Sequence, residues 1–257
     1  MKTVKTGANK YPSCYILLLL VVILGSGCAA VPPAPADNSD EKATVMQTGV
    51  VSADDTGWWQ VGFHRAIKPD EEPLWHLDTL LAYEVIKPIL AQQQLALWRF
   101  HRRASPDASG HTFSFIFFST RGKGEKIYQQ IKEHPLVVQL QTENMVERLS
   151  FFDINGDARA NIEDTSDKKW SIELQKAWPA FIMGVSQTWL NLIEEYTDQA
   201  DGANTDDVKA QVERFEKINR EISSVWEMEG GHAFLHHLNA LFGYQEVYVI
   251  ERKKTRF

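Results

Sequence analysis

The stretch WRFHRRASPDASGH (residues 98–111) gathers residue types suited to holding an anion. Arg102 and Arg103 offer planar guanidinium donors that match carboxylate or phosphate oxygens. His101 and His111 add groups that titrate near neutrality and can serve as acid or base. If the stretch folds as two strands around an SPDASG turn, these four side chains meet beside Trp98 and Phe100. The plainer alternative is a solvated strand face, because alternate strand positions point outward whatever their type.

GGHAFLHH (230–237) places His232 and His236 four residues apart, on one face of a helix, with His237 adjacent. That spacing can ligate a metal. A zinc site needs a third ligand, and the metalloprotease glutamate is missing between the two histidines, so ordinary core or surface histidines are the simpler reading. DINGDARANIED (153–164) sets Asp153, Asn155, Asp157, Asn161 and Asp164 at calcium-loop spacing. Ala158 stands where that loop needs glycine, and its last ligand is Asp164 rather than glutamate, which leaves a polar turn. TRGKGEK (120–126) lacks the spacing and terminal Lys-Ser/Thr pair of a phosphate loop and reads as a turn opening a helix. No Gly-x-Ser-x-Gly elbow occurs. No metal and no cofactor is assigned. Arg102, His111, His236 and His237 remain the catalytic candidates.

The two cysteines are Cys14 and Cys28, so nothing after Cys28 can do thiol chemistry. Lys2, Lys5 and Lys10 precede an unbroken apolar run from Tyr15 to Leu24, and Gly25, Ser26 and Gly27 lead directly to Cys28. The run is shorter than the roughly 20 residues a bilayer span needs. This order of features resembles the bacterial lipoprotein signal. The resemblance implies cleavage before Cys28, acylation of its sulfur with chains such as palmitate, and a membrane anchor built from those chains. Ala29 rather than Asp after the cysteine implies delivery to the outer membrane, with the folded part facing the periplasm.

The full chain has 257 residues and a net charge of −7; removing residues 1–27 takes away three lysines and no acids, leaving −10. An acidic body argues against nucleic acid as the main partner and against electrostatic adhesion to anionic lipid. The elements divide into a signal (1–27), a Pro- and Ala-rich tether (28–56), an α+β region (57–153) and a helical region packing on it (154–257). Strand composition marks 58–66, 95–104 and 111–120, with Trp59, Val61 and Phe63 sharing one face, as do Phe113, Phe115 and Phe117. A helix over 74–90 should end or kink at Pro88, and another over 122–135 should stop near Pro135. A fourth strand lies within 136–153. The order β-α-β-β-α-β predicts a ferredoxin-like antiparallel sheet. Behind it come helical faces interrupted at Pro179, a helix capped by Thr205 and broken by Gly230–Gly231, a helix ended by Gly243, and a final strand over 244–252.

WWQVGFHRA, WHLDTLLAYEVIKPIL, WRFHRRASPDASGHTFSFIFFS and LHHLNALFG together resemble, in order, the C-terminal elimination domain of lanthipeptide and thiopeptide dehydratases. The resemblance spans about Trp58 to Arg252. It implies that Arg102 and His111 occupy the family's basic positions, and that Asn239 and Gly243 fall on its late helix.

Two functions follow as expectations. The first is an anchored domain without enzymatic activity that binds a peptide or an envelope protein, supported by the anchor, the tether and an aromatic content of 11%. The second is a periplasmic lyase or hydrolase using Arg102, His111 and a C-terminal histidine, which requires those groups to converge in one pocket.

Overall fold

The computed structural model describes residues 55–65, 72–104, 110–152, 159–200 and 207–246. The expected signal, Cys28, nearly all of the tether, most of the 105–110 turn and most of the final strand lie outside the described residues.

Strands β1 (Thr56–Arg65), β2 (Leu97–Ala104), β3 (His111–Thr120) and β4 (Arg148–Phe152) form an antiparallel sheet in the order β2-β3-β1-β4. Alternation in these strands decides what faces where. Trp59, Val61 and Phe63 on β1, Trp98 and Phe100 on β2, and Phe113, Phe115 and Phe117 on β3 all turn to one face and are buried. Removing each such side chain from water contributes about 1.5–3 kcal/mol. The strands and the helical crossovers between them follow the β-α-β-β-α-β order predicted.

The first crossover is a single run: α1 (Trp75–Leu80), a π-helical turn (Leu81–Ile86) and α2 (Lys87–Gln93). Pro88 does not end it. The wider π turn lies just before the proline, where a tight turn would press its ring against the carbonyl four residues back. Gln94 then closes the helix in the left-handed conformation, at φ 45°. The second crossover has two helices where one was expected, α3 (Arg121–Lys132) and α4 (Pro135–Thr142). Pro135 opens α4 instead of merely stopping α3, since its missing N–H is no loss in a first turn.

The second half is helical: a 3₁₀ turn (Ile162–Thr165), α5 (Ile172–Gln199), α6 (Val208–Gly230), a π turn (Gly231–His236) and α7 (His237–Leu241). Pro179 does not interrupt α5. Its ring leaves the Gln175 carbonyl without the usual helical donor, and the buried Ser166 hydroxyl supplies one at 2.7 Å. Nor do the glycines break α6; Gly230 takes the Trp226 ring against its bare Cα, and the chain continues into the π turn. The described cap of α6 is Asp207, whose side chain accepts from the Lys209 N–H; Thr205 is not among the described residues. Gly243, at φ +76°, follows the last helix as expected. No described helix is long and apolar enough to cross a membrane.

The helical half reaches the sheet at β2. Ser186 on α5 accepts a hydrogen bond from the Phe100 backbone N–H at 3.0 Å, and Trp189 lies edge-on to Phe100 with ring centroids 5.4 Å apart. The Arg214 guanidinium on α6 donates to the Thr197 carbonyl on α5, and Thr79 Oγ1 on α1 lies 3.1 Å from Asn219 Oδ1 on α6.

Candidate functional site

Strand alternation splits the basic cluster expected in 98–111. Arg102 shares the inward parity of Trp98 and Phe100, whereas His101 and Arg103 project from the opposite face. His111 opens β3 on the inward side, with Phe113 and Phe115 after it. Two of the four candidates therefore come together and two do not.

What unites Arg102 and His111 is a carboxylate that the sequence did not single out. Asp78, one turn into α1, is 1% exposed. Its Oδ2 accepts from Arg102 Nε at 2.8 Å, and its Oδ1 lies 2.7 Å from His111 Nε2. Arg102 Nη2 also donates to the Trp75 carbonyl at 2.7 Å. The guanidinium is held between two indoles, 4.8 Å from the Trp75 ring and 4.9 Å from that of Trp189. Trp75 also covers the imidazole of His111, at 4.9 Å between ring centroids. One clue was available: Asp78 falls on the apolar stripe of its helix, beside Leu77 and Leu81.

A buried charge pair of this kind is weak evidence for net stability, yet removing one partner leaves the other stranded. An ionised carboxylate can only accept, so Nε2 of His111 carries the hydrogen toward it. Nδ1 is then the free nitrogen. It is buried and has no hydrogen-bond partner. His111 and Asp78 line a narrow crevice together with Phe63, Leu77, Leu81 and Met145, and its enclosed part is about the size of one water molecule.

The C-terminal histidines are elsewhere. His236 and His237 are exposed, with ring centroids 5.2 Å apart, and His236 faces Tyr244. Neither makes a hydrogen bond or ring contact with Arg102, Asp78 or His111. Half-buried Asn239 and exposed Gly243 lie on the same C-terminal stretch. Among the described residues, no group of three or more His, Cys, Asp or Glu is arranged to hold a metal ion. Of the expected polar turn, Asp153, Asn155 and Asp157 lie outside the described residues; Asn161 and Asp164 cap the 3₁₀ turn reciprocally, and Asp164 pairs with Lys168 at 3.0 Å. Those bonds and that cation hold the Asp164 carboxyl below its ordinary range.

Gly124 of the TRGKGEK stretch serves packing: a Cβ there would stand 2.4 Å from the Trp59 ring. On the outward face of the sheet, His64 Nε2 meets Ser150 Oγ at 2.6 Å, and burial, with the Arg148 charge adding to it, lowers the pKa of His64.

No sequence family and no curated protein matches this chain. Among solved structures, the crystal structure of the tRNA-dependent lantibiotic dehydratase MibB from Microbispora sp. 107891 is distantly similar, with 16% identity and a TM-score of 0.37. The match covers 63% of this chain, which spans 14% of the length of that one.

Proposed function

We propose that the protein is a lipid-anchored domain of the cell envelope, held at the outer membrane through Cys28, that binds a peptide or protein partner without turning it over. One observation carries the choice of binding over catalysis. Asp78 engages both Arg102 and His111, and the histidines that would complete an acid–base set are exposed on a different element. The Arg102 guanidinium is already engaged by a carboxylate and a carbonyl and lies between two indoles, which directs its Nε edge inward rather than toward a substrate anion. The exposed apolar side chains between Trp226 and Tyr244 support a docking role: Met228 is 81% exposed, Leu241 85% and Phe242 69%. Soluble surfaces seldom leave so many large apolar groups in water within one short stretch. The anchor is tested by growing cells on a labelled fatty acid, with Cys28→Ala as the comparison. The wild type is expected to take label and fractionate with membranes; equal labelling of the variant contradicts the proposal.

A second reading rests on His111. Its Nδ1 is buried without a partner beside the crevice, while the opposite nitrogen is oriented by a carboxylate, and this pairing favours the lyase or hydrolase alternative. Replacement of His111 by Gln keeps the bond to Asp78 possible and removes the base. Any envelope-localised activity lost in that variant, with folding preserved, would favour catalysis.

A further inference from the structure

The opposite face of the sheet holds a feature that owes nothing to Asp78 or to the lipid anchor. Residues 159–165 cross this face, fixed by the Trp58 N–H donating to the Arg159 carbonyl at 2.9 Å and by the Trp58 indole N–H reaching the Asn161 and Ile162 carbonyls at 3.0 Å. The crossing sets Thr165 beside Arg99 of β2, whose Nη2 lies 3.5 Å from the Thr165 carbonyl. It also sets Arg159 near Gln60, whose Oε1 is 3.5 Å from Arg159 Nη1, and Gln60 Nε2 is in turn 3.3 Å from Ser114 Oγ.

Arg99 Nε and Thr165 Oγ1 are both buried, and neither has a hydrogen-bond partner. A guanidinium can only donate and a hydroxyl can donate, so what they lack in common is an acceptor. No described carboxylate pairs with Arg99. Buried donors normally find partners, and two orphans on residues whose guanidinium and carbonyl meet at 3.5 Å are a departure from that rule. Burial first, and then the charge of Arg159, pull Arg99 down to about 10, and burial with Arg99 and Arg103 lowers His101.

We propose that Arg99, Thr165 and Arg159 form a binding site for a small oxyanion, a carboxylate or phosphate group, on the outward face of the sheet. The guanidinium edge of Arg99 takes two oxygens side by side, and the Thr165 hydroxyl donates to one of them. Arg159 adds a second positive charge without having to touch the ligand.

The test uses the full-length protein in detergent. Inorganic phosphate and sodium acetate are titrated separately at constant ionic strength, with chloride as the control, and the thermal midpoint is followed. At least one oxyanion is expected to raise the midpoint saturably while chloride does not, and the difference between the two titrations tells phosphate from carboxylate. Arg99→Gln should weaken apparent affinity about tenfold or more, Thr165→Val about threefold, and Arg103→Gln, on the same face of β2, by much less. No saturable shift with either oxyanion, or an equal shift in Arg99→Gln, overturns the proposal. Should that variant fail to fold, the Arg99 Nε–H resonance of the ¹⁵N-labelled wild type decides: it moves on titration if the site exists and stays fixed if it does not.

Discussion

Asp78 Oδ1 lies 2.7 Å from His111 Nε2, and the same carboxylate takes Arg102 on its other oxygen at 2.8 Å. A single acid on α1 thus pins the ends of β2 and β3 beneath the first crossover helix. Removing it strands a half-buried guanidinium and a buried imidazole. Asp78→Ala should therefore cost about 3–5 kcal/mol in urea unfolding. A loss under about 1 kcal/mol would mean the cluster is not the tie described here.

The two glycines of the TRGKGEK stretch separate packing from loop function. Gly124→Ala drives a methyl group into the Trp59 ring and should destabilise by about 1–3 kcal/mol. Gly122→Ala meets nothing within 4 Å and should be neutral, or stabilise the first turn of α3 by up to about 1 kcal/mol. Chemical denaturation of the pair checks both signs, and equal effects would contradict the packing argument.

His64, His76, His101 and His134 all have lowered pKa values, with burial the leading cause in each. The fold favours their neutral forms, whereas the unfolded chain takes up protons near pH 6.5. Unfolding then binds protons, so the stability these groups hold is complete above that pH and is lost as pH falls through it toward the folded values. The urea midpoint should be lower at about pH 6 than at about pH 8. A midpoint that rises on acidification in this window would refute the assignment.

The exposed segment after α6 offers a test of docking against packing. Leu241 and Phe242 are largely exposed, so replacing both with Ser should change stability by no more than about 0.5 kcal/mol each. The same variant should lose cross-linking to a partner in intact cells. A large stability loss would instead assign these side chains to the fold.

Much of the sheet was legible because period-2 patterning in WWQVGF and HTFSFIFF is strong, and β3 begins where that pattern does and runs two residues past it. Proline and glycine misled in the helices for local reasons. Ser166 rescues the carbonyl that Pro179 orphans, and π turns absorb Pro88 and Gly231, neither of which leaves a mark in one-dimensional spacing. At the site, sequence proximity suggested four basic partners around one turn. Alternation separates Arg102 from His101 and Arg103, and the partner that matters, Asp78, comes from a helix more than twenty residues away. Arg99 was passed over as strand composition, since only the crossing of residues 159–165 brings Thr165 beside it.

The lipid anchor is the claim on which the assigned location depends, and the intact mass of the native protein, extracted from cell membranes, tests it most directly. The predicted species starts at residue 28 and is heavier than its 230 residues by the mass of its acyl chains. A species that starts at Met1 with an unmodified Cys28 thiol would contradict it.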